Sequence, residues 1–480
     1  MRRRCLPFVA TGTLALALAG CATVGRERPV PPSPSRAAEL EPPPAGPRPA
    51  PVGVPEELLR EGASIALAQV IDIALQNNPA TQASYLRSRA AAAAAGARLA
   101  PYYPSVDLAA NASRASLSTD RSDGVPLTSY GAALELDWLL LDLGGRAADV
   151  EEARLALLEA NWTHDATIRD VVLRVQQTFV LYLNSKAQVE AAASNVRQAE
   201  TALESATVRH DAGVATIADV LQARTALSQA RLTHEAARGQ VMVLRGALAT
   251  AMGLPATIPY DVGTLPADLP LERAGQAVEE LIAAALERRP ELAAARLDAE
   301  RAAVHIRSVR SDGLPTLSLG ASAGPIWYDV GDLTARDNWS ARLLLSWPLF
   351  TGFENRYNLE QARQEAELAR TRTTELEQQV VLQVWTSYYA LETATQLVRT
   401  SSDLLASAEQ SERVALGRYR EGVGTILDLL AAQSALASAR SQDIQARAGW
   451  FIALAQLARD TGTAAILDQP IAILKEGPKP

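Results

Sequence analysis

Residues Tyr130–Trp138 read YGAALELDW, and residues Trp339–Trp347, 209 positions later, read WSARLLLSW. In an extended chain successive side chains alternate between two faces. One face then carries Tyr130, Ala132, Leu134, Leu136 and Trp138, and the other carries Gly131, Ala133, Glu135 and Asp137. Trp339, Ala341, Leu343, Leu345 and Trp347 repeat the first pattern. Each apolar row begins and ends on an aromatic residue, and its eight steps span about 26 Å of strand. That is close to the apolar band of an outer-membrane barrel with its aromatic girdles. A half-buried strand of a water-soluble sheet is the competing reading, and it gives no reason for aromatics at both ends, twice. Tyr130, Trp138, Trp339 and Trp347 are the expected membrane girdle.

Each row has an alternating partner upstream, PSVDLAANA from Pro104 and PTLSLGASA from Pro315. The expected strands are about 104–115, 128–139, 315–326 and 338–349. Four strands cannot close into a barrel, and an open edge leaves unsatisfied backbone groups in lipid. Several chains must therefore combine.

The repeat extends beyond the strands. RHDAGVATIADVLQARTALSQAR (Arg209–Arg231) and RYREGVGTILDLLAAQSALASAR (Arg418–Arg440) agree at 12 of 23 positions. Leu67–Pro79 answers Val278–Pro290 at an offset of 211. One unit of about 200 residues is thus used twice. Each unit runs short helix, helix, two strands, long helix, tight turn, helix. The boundaries are 64–254 and 276–463, joined by a Pro- and Gly-punctuated linker at 255–275 and followed by a tail at 464–480. Val175, Tyr182, Val189, Val196 and Leu203 recur every seven residues, as a coiled-coil seam requires, and Val384, Tyr388, Leu391, Val398 and Leu405 follow the same seam. A helix from about residue 147 to 210 would be about 100 Å long, and the flanking helices, stacked end to end, would pair along it. The alanine run Ala91–Ala97 suits close helix approach. Helical periodicity alone does not exclude a solvent-exposed coiled coil without a lumen.

The N-terminus, MRRRCLPFVATGTLALALAGC, has a basic start, an apolar stretch and small residues before Cys21, the pattern of an export signal over 1–20. Leu18-Ala19-Gly20-Cys21 resembles the lipoprotein cleavage box, which would make Cys21 the lipidated first residue. A Pro-rich stretch within 21–63 reads as an extended tether. Loss of the signal removes three arginines and takes the formal charge from −8 to −11. An acidic chain without a basic cluster is a poor nucleic-acid binder. With Cys5 gone, a single cysteine forms no internal disulfide.

The chain carries no local signature of catalysis. His164, His210, His234 and His305 lack ligand spacing, and there is no phosphate-binding glycine loop or nucleophile motif. No cofactor or metal is expected. Thr216-x-x-Asp219 and Thr425-x-x-Asp428 are capping-box patterns, which by themselves account for both acids.

Together the doubled helical segment, the strand pairs and the doubled G-V-x-T-I-x-D-x-L turn (Gly213–Leu221, Gly422–Leu430) resemble the TolC-type outer-membrane efflux proteins over about residues 64–462. Cys21 makes the chain similar to the lipoprotein, NodT-like branch. The resemblance implies a mainly α fold with a transmembrane β-barrel, in which three chains form a twelve-stranded barrel continued by a twelve-helix periplasmic tunnel. It implies the exit duct of a tripartite export system, with a periplasmic adaptor and an inner-membrane pump as partners and no catalytic role. A protein-secretion duct of the same fold, or a non-conducting envelope-spanning lipoprotein, are the alternatives. The repeated turns become periplasmic tips. Gly213, Val214, Thr216, Gly422, Val423 and Thr425 would dock the adaptor. Asp219, Tyr419, Leu427 and Asp428 would line a constriction. Ala431 replaces a second acid of that pattern and Gly424 replaces a latching Arg, so packing around Leu427 and Tyr419 is expected to hold the closed state.

Overall fold

The computed structural model describes residues 64–116, 126–263, 269, 271, 277–328 and 334–463. The expected signal, tether with Cys21, tail and part of the linker lie outside these residues. In chain order the elements are β1 (Ser64–Ile65), α1 (Leu67–Asn77), α2 (Pro79–Ala97), β2 (Ser105–Ser116), β3 (Pro126–Leu141), α3 (Gly145–Asp211) and α4 (Ile217–Ala251). They continue with β4 (Asp261–Val262), α5 (Val278–Arg288), α6 (Pro290–Ser311), β5 (Thr316–Tyr328), β6 (Thr334–Ser346), α7 (Glu354–Arg420) and α8 (Ile426–Asp460). The two long helices have 67 residues each and the two that come after them 35 each.

The flanking helices do stack along the long ones: α2 and α4 pack on α3, and α6 and α8 pack on α7. The halves interleave as well, since α6 and α8 also contact α3. Along α7 the seam keeps a 3–4 spacing, through Val384, Ser387, Leu391, Ala394, Val398 and Ser401 and on to Ala408, Glu412 and Tyr419. That period of 3.5 favours left-handed winding of α7 and α8 about each other. The seam differs from expectation in detail. Ser387, not Tyr388, holds the buried position, and in α3 the buried residues below Tyr182 include Ala192, Ala199, Ala202 and Ala206, while Val189, Val196 and Leu203 are half-buried. Alanine at the contact brings the helix axes close, and the larger side chains turn to the flanks. The alanine run of α2 does not pack closely within the chain, because α2 meets α3 through Ser84, bonded to His164 at 2.8 Å, and Ser88, bonded to Asn161 at 2.5 Å.

Apolar clusters pin the helices together at successive levels. One joins β1, β4 and α1 to α3 and α4, through Val70, Val175, Leu248 and Met252. A second joins α5 and α6 to α7 and α8, through Leu292, Val380, Val384 and Leu454. A third lies at the far ends of the helices and draws on all four: Ala202 and Ala206 of α3, Val220 and Ala223 of α4, Tyr419 of α7, Ile426 and Leu429 of α8. The parallel pair β1–β4 was not expected; two-residue strands carry no alternation to detect.

The larger sheet has the order β2-β3-β5-β6, all antiparallel. The two expected hairpins are present, and β3–β5 pairing joins them. Leu108, Leu134, Ala323 and Trp339 form one row across the sheet, and the neighbouring row on the opposite face is Asp107, Glu135, Ser322 and Ser340. The apolar face is exposed, with Leu134 at 56 % and Leu343 at 64 %. β2 and β6 each have one strand partner among the described residues.

Candidate functional site

The repeated turns have the same geometry. The N–H of Val214 donates to the Arg209 carbonyl at 2.9 Å, and that of Gly213 to His210 at 2.9 Å. In the second turn Val423 donates to Arg418 at 3.0 Å and Gly422 to Tyr419 at 3.1 Å. Both are Schellman closures, which need a left-handed residue just past the helix. Gly213 (φ +76°) and Gly422 (φ +81°) supply it. Each following helix opens with a complete capping box. Thr216 accepts from the Asp219 N–H while Asp219 accepts from the Thr216 N–H at 2.9 Å. Thr425 and Asp428 repeat the exchange at 3.2 Å in both directions. The Thr425 hydroxyl also donates to Asp428 at 2.8 Å. That side-chain bond and the backbone one hold the Asp428 carboxyl below its ordinary range. The tight turn exposes Val214 and Val423 at 65 % and 68 %.

The four expected constriction residues are not one cluster. Asp219, half-buried, and Asp428, exposed, both serve as caps. Leu427 is exposed, so within the chain it does not supply the packing expected of it. Tyr419 is buried in the shared core at the helix ends. Burial pushes its phenol pKa up, with Asp219 adding to the rise and Arg209 opposing it.

Arg209 is the residue that sequence reasoning missed. Its guanidinium lies 4.9 Å from the centroid of the Tyr419 ring and donates to the Tyr419 carbonyl at 2.7 Å. This ties the end of α3 to the end of α7. The signal was present in the doubled motif, where Arg opens both copies but the next residue is His210 in one and Tyr419 in the other.

At the sheet, Tyr130 and Trp339 are exposed at 47 % and 77 %. Trp138 is half-buried, and its indole N–H donates to the Tyr102 carbonyl at 3.2 Å. Trp347 falls one residue beyond β6 and is exposed. Among the described residues no group of His, Cys, Asp and Glu could hold a metal ion, and no helix is long and apolar enough to cross a membrane.

Midway along the second helical pair, an open groove of about 930 Å³ runs between α7 and α8, lined by Thr386, Leu397, Leu404, Gln442 and Gln456 among others. Its α7 residues are the repeat counterparts of Gln177, Gln188 and Asn195 of α3. Those three are covered by α8 in the same chain: Gln177 bonds Gln456 at 3.3 Å, Gln188 bonds the Ser441 carbonyl at 3.0 Å, and Asn195 accepts from Arg440 at 3.2 Å. Among the described residues the first repeat thus has a cover that the second lacks.

An amphipathic sheet with two open edges, continued by paired helical hairpins about 100 Å long, defines a subunit of an envelope-spanning conduit. The chain belongs to the outer membrane efflux protein family, whose model matches residues 70–254 and 281–463. It is 29 % identical over 386 residues to protein CyaE of Bordetella pertussis, covering 79 % of this chain and 80 % of that one. It is 28 % identical over 400 residues to the pyoverdine export outer membrane protein OpmQ of Pseudomonas putida, covering 80 % and 83 %. Among solved structures, a membrane protein from Pseudomonas aeruginosa superposes with a TM-score of 0.75 at 26 % identity, over 82 % of this chain and 93 % of that one. The CmeC outer membrane channel of Campylobacter jejuni gives 0.74 at 18 % identity over 85 % and 89 %, a likeness of fold. The protein is an outer-membrane channel of an export system and not an enzyme.

Proposed function

We propose that three copies of this chain close one twelve-stranded barrel and one twelve-helix tunnel, and that the tunnel tips receive a periplasmic adaptor linked to an inner-membrane pump. The observation that carries the reading is the uncovered groove. In the first repeat α8 covers the equivalent face of α3. The repeat counterpart of α8 is α4, so α4 of a second copy is the fitting cover for the groove on α7. Its exposed side chains agree. Leu232, the counterpart of Ser441, is 65 % exposed and would meet Leu397. Ile426 is buried at 3 %, whereas its counterpart Ile217 is 57 % exposed and lacks such a cover within the chain. Burying these apolar side chains drives association. Four strands per chain close a barrel when three copies join, and closure removes the edges that lipid does not tolerate.

In this assembly Val214 and Val423 present apolar caps at six tips, with Gly213, Thr216, Gly422 and Thr425 fixing the turn beneath them. Small apolar tips suit docking by another helical hairpin. Asp219, Leu427 and Asp428 ring the same mouth, and Tyr419 packs in the core behind them. Cys21 is the proposed lipid site, placing the chain in the lipoprotein, NodT-like branch. Relatives named for pyoverdine export and toluene efflux favour small-molecule cargo.

Native mass measurement on the purified full-length protein in detergent tests the assembly. The expected mass is three chains, shifting toward one chain in Leu232→Glu with helix content retained. A stable monomer, or a closed pair or quartet, overturns it. For the anchor, Cys21→Ser is expected to lose the acyl mass, and a wild-type mature chain that begins elsewhere overturns that assignment.

A further inference from the structure

The sheet edges carry more than the need for a partner, because the internal repeat fixes how the partner strand must align. The β2–β3 hairpin pairs Ser105 with Asp137, and the β5–β6 hairpin pairs Thr316 with Ser346. Moving the first pair by the repeat offsets, 211 for β2 to β5 and 209 for β3 to β6, gives the second pair without a shift. The same holds along both hairpins. Register is therefore the same in the two halves, and one strand contact within the chain can serve as a template for a contact outside it.

That template is β3–β5, the junction between repeats, in which Leu134 lies opposite Ala323 and Trp138 opposite Leu319. Its counterpart is β6 against the β2 of another copy. We infer that β6 of one copy pairs antiparallel with β2 of the next in the register that sets Leu343 opposite Ala112, and Arg342 opposite Ser113. This rests on the trimer reading and adds the alignment that reading leaves open. The pairing is chemically consistent on both faces. Leu343 and Ala112 both belong to the apolar face, and Arg342 and Ser113 to the polar one. A slip of one residue would turn every β2 side chain to the wrong face. The same geometry sets the slant of the strands. Tyr130 lies opposite Trp327 and Trp327 opposite Ala335, while the repeat counterpart of Tyr130 is Trp339. Each repeat thus advances the register by 4 residues, which for six repeats gives a strongly tilted barrel.

Disulfide trapping reads the register directly, since a bridge needs Cα atoms within about 7 Å. Ala112 and Leu343 sit on opposite edges of the four-stranded sheet within one chain, so the double variant Ala112→Cys/Leu343→Cys can link only between copies. Mild oxidation of the assembled full-length protein is expected to convert most of the monomer band to reducible species of two and three times its mass. The displaced pair Leu108→Cys/Leu343→Cys and the parent chain, whose one remaining cysteine is Cys21, are expected to stay monomeric on the same denaturing gel. Ser113→Cys/Arg342→Cys repeats the test from the polar face. Preferential linking of the displaced pair, or no linking of either matched pair in a protein of trimer mass, overturns the register and leaves the trimer standing. Absence of linking together with a monomer mass overturns the trimer itself.

Discussion

Arg209 and Tyr419 lie 210 residues apart in sequence and meet at the ends of the two long helices, the guanidinium 4.9 Å from the ring centroid and 2.7 Å from the carbonyl oxygen. The contact makes the two turns of one chain a single unit.

Breaking that contact is expected to loosen both tips at once. Arg209→Ala removes a stacked cation and a charge-assisted bond, together worth about 1–2 kcal/mol. Amide exchange around residues 209–216 and 419–425 should rise severalfold in parallel, and closed-state conductance in planar bilayers should rise with it. A rise confined to the first turn would show the two turns to be independent.

The capping boxes give a test of what the tip acids do. Thr425→Ala should cost about 1 kcal/mol of helix stability. The Asp428 carboxyl is held below its ordinary range, so its contribution is present at neutral pH and lost as pH falls through that lowered value. Asp428→Asn should therefore mimic acidification in the exchange rates of the first turn of α8. If the acid also faces the pore, the reversal potential under a salt gradient shifts in the same variant; an unchanged potential assigns Asp428 to capping alone.

The apolar face of the sheet is expected to meet lipid. Leu343→Arg places a charge in the band between Trp339 and Trp347, at a cost of about 2–4 kcal/mol per copy. Yield of assembled protein from outer membranes should fall at least tenfold. Normal yield would mean that this face meets protein or water.

Docking at the tips is testable apart from folding. Val423 is 68 % exposed, so Val423→Asp should leave melting temperature and copy number unchanged while lowering export in cells severalfold. Undiminished export removes Val423 from the docking surface.

Where the repeats interleave, Arg459 links Asp170 and Glu291 at 2.8 Å and Asp460 at 3.2 Å, and Arg289 joins Glu291 at 3.3 Å. Arg459→Met removes one partner from Glu291 and Asp460, which are largely out of water, and one from the exposed Asp170; Arg289 still pairs with Glu291, so the loss at neutral pH is about 1–3 kcal/mol. Burial pushes the Glu291 carboxyl up, but its own backbone N–H and the two arginines outweigh this and hold it below the ordinary range. Its contribution is thus present above about pH 4 and lost as pH falls through the lowered value. The gap in thermal stability between wild type and Arg459→Met should narrow on acidification.

By itself the sequence determined the elements whose information is local. Strand alternation, heptad spacing, the Gly-Val turn and the Thr-x-x-Asp box each lie within a few residues, so the two-repeat order, the hairpins and both caps were legible in it. The duplication added the correspondence between halves. Only the tertiary structure decided which halves touch. Arg209 and Tyr419, the Arg459 network, the β3–β5 junction and the cover of α8 over α3 all join residues far apart in the chain. Nothing in the local pattern of either partner fixes such pairings, because they depend on how two amphipathic helices and two hairpins rotate against each other. Ile426 is buried in the core at the helix ends and Ile217 is exposed, although the two occupy one position of a repeated motif, because only the packing around each decides its burial.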